Sequence, residues 1–113
     1  MKIAKEKKEV NICQGDIFFV KIENLPNKKL TKVERKQRGF VLAEGETTGH
    51  AHIIEDEDID LFTDGNYLYL ETETPVVLKH EEHNAVTIDP GLWLIGIQKE
   101  VDIFEDEITR IAD

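Results

Sequence analysis

The sequence predicts a mainly β fold, a small antiparallel β-barrel or sandwich with one short C-terminal helix. The length of 113 residues is that of one domain, so we expect residues 1–113 to form a single β domain. Short runs rich in β-branched and aromatic residues alternate with turn signals about every 8–12 residues, which is typical of sandwiches and barrels. A helical apolar stripe is found close to the C-terminus.

The strongly patterned strands begin after residues 1–11, which are charged and have no clear period, and which we interpret as a flexible arm or a weak edge strand. Most of the patterned strands are short apolar or alternating runs bounded by Gly, Pro, Asn or Asp. Asp64-Gly65 is a strong hairpin signal between two of the runs. The predicted strands are 16–22, 39–43, 50–54, 58–61, 67–71, 75–80, 86–88 and 92–97.

Two further segments complete the predicted organisation. Residues 27–38 carry six basic residues and one acidic residue, which predicts a solvated basic loop or an exposed short helix. Near the C-terminus, Asp102 and Glu105 have the spacing of a capping box. Phe104, Ile108 and Ile111 then fall on one helical face, so a helix is expected over residues 103–111.

Charge is distributed unevenly along the chain. The net charge is −10, yet residues 1–38 hold 11 Lys and Arg against five Asp and Glu, and the remainder is strongly acidic. An acidic surface disfavours nucleic-acid binding because phosphates repel it. The asymmetry supports a non-enzymatic alternative, a dimer in which the basic third of one chain meets the acidic part of another.

Cysteine usage and hydropathy predict a cytoplasmic protein without a membrane partner. Cys13 is the only cysteine, so no intramolecular disulfide can form, as is typical of a reducing compartment. The first ten residues are polar and rich in Lys, unlike a secretory leader. No apolar run approaches the roughly 18 residues of a membrane-spanning helix. Serine is absent, which excludes a serine nucleophile.

The four histidines form two close pairs, His50-Ala51-His52 and His80-Glu81-Glu82-His83. Residues two apart on a strand point to the same face, so the first pair should present two imidazoles side by side. The second pair converges if the chain turns after His80. We predict that this four-histidine site is the functional centre, although such pairs also occur on solvated surfaces.

A divalent transition metal is the first chemistry that this site suggests. Imidazole nitrogen is a common metal ligand, and zinc takes three or four such ligands. A carboxylate, from Glu55, Glu57, Glu81 or Glu82, would complete the set or orient a ring. With a carboxylate included, iron, manganese and nickel fit as well as zinc. The domain would then be a metal-dependent enzyme or a metal-handling protein.

The same histidines also suit metal-free acid–base catalysis. A neutral imidazole accepts a proton and an imidazolium donates one near neutral pH, which would serve a phosphodiesterase acting on RNA or a nucleotide. The phosphate would be held by the basic loop if that loop lies beside the histidines. Its cationic residues are Lys28, Lys29, Lys32, Arg35, Lys36 and Arg38.

Residues 45–65 resemble the first conserved motif of the cupins. Gly45, His50, His52, Glu57 and Gly65 follow the order of that motif, and Pro90-Gly91 resembles the turn of the second motif. His80 and His83 precede this turn, whereas the remaining cupin histidine follows it. The resemblance implies a small β-barrel with a metal held by His50, His52 and Glu57. Residues 39–52 are also similar to small prokaryotic proteins of no assigned function.

Overall fold

The computed structural model describes residues 12–44 and 50–97. These residues form ten strands: β1 Ile12–Gln14, β2 Ile17–Lys21, β3 Thr31–Lys32, β4 Phe40–Glu44, β5 Ala51–Ile54, β6 Ile59–Thr63, β7 Leu68–Thr72, β8 Val76–Lys79, β9 Val86–Ile88 and β10 Gly91–Ile97. The predicted arm over 1–11 and the predicted helix over 103–111 lie outside the described residues.

The strands form two antiparallel sheets. The larger has the order β1-β2-β10-β7-β6-β3, and the smaller has the order β4-β5-β8-β9. The mainly β prediction is therefore confirmed, and no helix occurs within the described ranges. The described residues form two separate sheets, and a closed barrel is not seen among them. No described helix is long and apolar enough to cross a membrane.

The centre of the larger sheet, at β2 and β10, is buried on both faces, which explains the unbroken apolar run of β2. Successive side chains on a strand point to opposite faces. Ile17 and Phe19 therefore join a core cluster shared with the smaller sheet, to which Ile54 and Leu78 contribute. Phe18 and its neighbours on the opposite face belong to a second cluster, built from Val20, Ile22, Tyr67, Tyr69 and Leu94.

The basic segment, residues 27–38, is a loop that contains only the two-residue strand β3. It ends in a tight turn closed by paired backbone hydrogen bonds between Lys36 and Gly39. Gly39 has φ +132°, and a Cβ there would lie 2.6 Å from the Ile54 carbonyl oxygen. Glycine at this position lets the turn pass against β5, which brings the end of the basic segment to the smaller sheet.

Strand register determines where the histidines lie. In the β5–β8 pair, Ile53 is opposite Lys79 and Ile54 is opposite Leu78. One more step of the same antiparallel register puts His52 opposite His80. At this end of the pair β1 also approaches β9, so the larger sheet contributes residues beside the same histidines.

Candidate histidine site

The structure brings all four histidine rings into one cluster. His80 is central, with its ring centroid 4.4 Å from that of His52, 4.6 Å from that of His83 and 5.9 Å from that of His50. The rings of His52 and His83 are nearly parallel at 6.0 Å. Residues 81–83 form a bend, which is the turn that the sequence required for His80 and His83 to converge.

His52 is the buried member of the cluster, with its side chain only 4% exposed. Its Nδ1 lies 2.8 Å from Oε1 of Gln14, a side chain buried at the end of β1. The Gln14 amide nitrogen donates to the carbonyl oxygens of Leu78 and Asn84, at 3.0 Å and 2.9 Å. Through Gln14, β1 of the larger sheet is therefore hydrogen-bonded to the end of β8, to the loop that follows it and to the buried histidine.

These contacts determine the tautomer of His52. Both Gln14 amide hydrogens face carbonyl oxygens, so its Oε1 serves as an acceptor. His52 must then donate from Nδ1, which leaves a lone pair on Nε2 in the neutral ring. That Nε2 lies 3.7 Å from Oδ1 of Asp16, in the turn after β1.

Burial keeps His52 in its neutral form. Desolvation is the main cause that lowers the pKa of the ring, and positive charge on His80 and His83 lowers it further. The carboxylates of Asp16 and Glu81 act in the opposite direction without reversing the shift. His52 is therefore a neutral donor with its lone pair at a defined atom.

His80 has the opposite tautomer from His52. The backbone N–H of Glu82 donates to Nδ1 of His80 at 3.0 Å, so neutral His80 carries its proton on Nε2. The side chain of Glu82 approaches the fourth ring, with Oε2 3.5 Å from Nδ1 of His50. The cluster thus contains one ring with a free lone pair on Nε2 and one with an Nε2–H donor.

His83 packs against a glycine of the larger sheet. Gly15 lies in the turn between β1 and β2 with φ +62°, and a Cβ on it would be 2.7 Å from Nε2 of His83. Any larger residue would push the imidazole away. The β1–β2 turn therefore forms one wall of the cluster, with Gly15 against His83 and Asp16 beside His52.

Glu81 connects the cluster to the basic segment. Its Oε1 accepts the backbone N–H of Ala51 at 2.9 Å, and its Oε2 accepts a charge-assisted hydrogen bond from Arg38. The backbone donation from Ala51, with the contribution of Arg38, lowers the pKa of Glu81 to about 2. This carboxylate is ionised at neutral pH and holds the loop after β8 beside β5.

Residues 13–98 match the family described as Domain of unknown function (DUF8820). The chain belongs to this family. No curated protein and no solved structure matches the chain. The matched range contains Gln14 and all four histidines, so the whole cluster lies within the DUF8820 domain.

The predicted basic residues of the DUF8820 domain separate into two groups. Lys28 and Lys32 form ion pairs with Asp64 and Asp60, at 3.0 Å and 3.1 Å, on the β6 side of the larger sheet. Arg35 and Arg38 instead reach the smaller sheet. Lys29 and Lys36 are exposed. Only the end of the basic segment therefore lies beside the histidines.

The carboxylates that lie nearest the imidazole rings do not include Glu57, the carboxylate of the cupin-like motif. Glu57 is exposed in the bend after β5, at the opposite end of this strand from His52. Glu55 pairs with Lys79 at 3.0 Å. Asp16 and Glu82 are the acids that approach the imidazole nitrogens. In the described residues, no three His, Cys, Asp or Glu side chains are arranged to hold a metal ion as they stand.

Sequence reasoning missed the contribution of β1. Gln14 is uncharged and follows a segment interpreted as an arm, so nothing local marked it as a partner of His52, 38 residues away. Gly15 was visible as a break before the predicted strand 16–22, whereas Asp16 was predicted to belong to that strand and lies in the turn before β2. The position of this turn beside His52 and His83 depends on the docking of β1 against β9, which is a long-range contact.

Proposed function

We propose that this DUF8820 domain binds a divalent transition metal ion, zinc, iron, manganese or nickel, through the histidine cluster. The observation that carries the proposal is the convergence of every histidine of the chain on one site. The bound ion would make the domain a metal-dependent enzyme or a metal-handling protein, in line with its cupin-like motif.

The surroundings of His52 support this proposal most directly. A metal-binding histidine typically donates its second ring N–H to a protein oxygen, which orients the ring and increases its basicity. Gln14 accepts the Nδ1–H of His52 in this way, and burial favours the neutral ring that a metal needs. Nε2 of His52 is therefore the first ligand atom that we assign.

The other rings would complete the ligand set after adjustment. His83 is exposed in the bend at 81–83, and half-buried His80 directly precedes that bend, so neither ring lies on a regular strand. His80 would bind the metal through Nδ1 in place of its contact with the Glu82 N–H. Binding through Nε2 would require the ring proton to move to Nδ1, which also opens that contact. Asp16 and Glu82 are the carboxylates within reach of the cluster.

Elemental analysis of tag-free protein tests the proposal. We expect about one equivalent of a transition metal, removed by EDTA and regained on addition of the ion. The double variants His50→Ala/His52→Ala and His80→Ala/His83→Ala should both lose it. Glu57→Ala is the matched control, because it removes a carboxylate of the cupin-like motif that lies apart from the rings.

Two results would contradict this assignment. Absence of metal in the purified protein, together with no binding of added zinc, manganese, iron(II) or nickel, would overturn the metal proposal. Loss of metal in Glu57→Ala with retention in His80→Ala/His83→Ala would replace the four-histidine site by the ligand set of the cupin-like motif.

A second function, metal-free acid–base catalysis on RNA or a nucleotide, is favoured by the opposite tautomers of two adjacent rings. Nε2 of His52 accepts a proton, whereas Nε2 of neutral His80 donates one, and the two ring centroids are 4.4 Å apart. This function predicts hydrolysis of RNA or of a cyclic nucleotide that resists EDTA and has a bell-shaped pH profile. Hydrolysis abolished by EDTA would exclude it.

A further inference from the structure

An open groove of about 660 Å³ is lined by residues of the smaller sheet, by the end of the basic segment and by His80 of the histidine cluster. Residues along β5 and at the end of β8 line it together with residues of the basic segment. Ala51 and Ile53 contribute apolar surface. The charged residues that line it are Arg35, Arg38, Glu55, Lys79 and Glu81.

The groove is locally cationic on an acidic protein. Three cationic side chains line it against two carboxylates, whereas the whole chain has a net charge of −10. Each carboxylate is held by a cation, Glu81 by Arg38 and Glu55 by Lys79. These pairs restrain the acids and leave the groove with an excess of positive charge.

Arg35 supplies that excess. Its Nη2 donates to the backbone carbonyl oxygen of Glu55 at 2.8 Å. The acceptor is neutral, so this hydrogen bond orients the guanidinium without neutralising its charge. A guanidinium has five N–H donors in a planar fork that matches the oxygens of a phosphate group. The backbone contact thus positions an anion-binding group on the wall of the groove.

We propose that the groove binds the phosphate group of a small phosphate monoester, with Arg35 as its principal contact and the organic part against Ala51 and Ile53. A polyanion such as RNA is disfavoured, because its other phosphates would face the acidic surface. The inference deepens the proposed function and rests on it, because His80, one of the proposed metal ligands, lines the groove.

Calorimetric titration of the EDTA-treated chain, residues 1–113, at low ionic strength tests this inference. The probes are phenyl phosphate, inorganic phosphate and a single-stranded oligonucleotide. We expect phenyl phosphate to bind most tightly and Arg35→Gln to weaken it by about tenfold or more, the loss typical of a charge-assisted hydrogen bond. Lys32→Gln is the matched control, because it removes one cation of the same segment that pairs with Asp60 outside the groove.

The outcomes separate this inference from the proposed function. Equal affinity for phenyl phosphate and inorganic phosphate, tighter binding of the oligonucleotide, or equal losses in both variants would overturn the assignment of the groove. Metal content is measured in the same preparations before EDTA treatment. An Arg35→Gln variant that retains its metal and loses phenyl phosphate supports both assignments, and a chain that binds the ester but no metal overturns only the metal site.

Discussion

At the scale of single residues, Gln14 is the side chain on which the geometry of the cluster depends most. Replacement by leucine keeps its size but removes three hydrogen bonds, to His52 and to the carbonyl oxygens of Leu78 and Asn84. Unsatisfied buried groups cost about 1–3 kcal/mol, so we expect Gln14→Leu to lower the free energy of unfolding by about 2 kcal/mol. Urea denaturation measures this loss.

The same variant should change the tautomer of His52. In the wild-type protein, ¹⁵N chemical shifts of the ring should report a protonated Nδ1 and an unprotonated Nε2. Gln14→Leu should give a mixture. Gln37→Leu, the same change at an exposed position, should alter stability by no more than about 0.5 kcal/mol and leave the His52 shifts unchanged. A wild-type tautomer in Gln14→Leu would show that another group orients the ring.

Gly15 provides a second test at this scale because Gly65 serves as its control. Both glycines have positive φ, +62° and +99°, so alanine strains the backbone at either position by about 1–3 kcal/mol. Only at Gly15 does the new Cβ meet a histidine, whereas it meets no atom within 4 Å at Gly65. We expect Gly15→Ala to shift the ring resonances of His83 and weaken metal binding, and Gly65→Ala to do neither. Identical His83 spectra in the two variants would contradict the contact.

The pKa of His52 predicts a pH dependence of stability in the metal-free protein. Its folded pKa lies below 6.5, so below that pH the unfolded chain binds more protons at this residue than the folded chain does. The contribution of His52 is complete above pH 6.5 and is lost as the pH falls through the folded pKa, by at most about 1.4 kcal/mol per pH unit. Denaturation in urea at pH 7.5, 6.5 and 5.5 should show this decline.

The variant His52→Gln should flatten that decline. Glu81 does not contribute to the pH dependence measured between pH 7.5 and 5.5. Its pKa is lowered from 4.5 to about 2, so its contribution to stability is lost only below about pH 4.5. The groups that influence His52 from neighbouring elements are His80, His83, Asp16 and Glu81. An equally steep decline in His52→Gln would show that the pH dependence arises elsewhere.

At the scale of strands, local patterns were enough to predict the individual strands of the smaller sheet but not the edge strands of the larger one. The runs at 50–54 and 75–80 were predicted as strands, and the structure confirms them as β5 and β8. The apolar residues of β5 are buried, as are Val76 and Leu78 of β8, so burial supports the register that brings His52 opposite His80. The histidine pairs could therefore be predicted to converge.

Edge strands were missed because they carry little periodic signal. β1 and β3 have three and two residues, too short for alternation to be visible. β1 nevertheless delivers Gln14 to the site, and β3 lies inside the segment interpreted as a loop. Their pairing depends on neighbouring strands that are distant in sequence. The sequence was therefore sufficient to identify the histidines as a candidate site, whereas the side chains that surround His52 were identified only from the structure.

At the scale of the whole molecule, the uneven charge of the sequence is partly compensated within the fold. Lys28, Lys32 and Arg38 contact Asp64, Asp60 and Glu81, which are acids of the C-terminal part of the same chain. These ion pairs within the chain engage basic and acidic residues that the dimer hypothesis assigned to contacts between two chains. Self-association through charge asymmetry stays a prediction, and it requires a salt-sensitive dimer that survives substitution of the histidines.

The site joins the two sheets, so ligand binding should stabilise the entire fold. The histidines belong to β5 and the segments that flank β5 and β8, whereas Gln14 and Asp16 come from the larger sheet. An ion that binds only the folded chain, at 100 times its dissociation constant, adds about 2.7 kcal/mol of stability. For a domain of this size that is a rise in Tm of roughly 10 °C.

Zinc added to EDTA-treated protein should give this rise in Tm by calorimetry, and magnesium, which prefers oxygen ligands, should not. Since His50→Ala/His52→Ala removes half of the rings, an equal rise with zinc in that variant would contradict a metal site at the junction of the sheets.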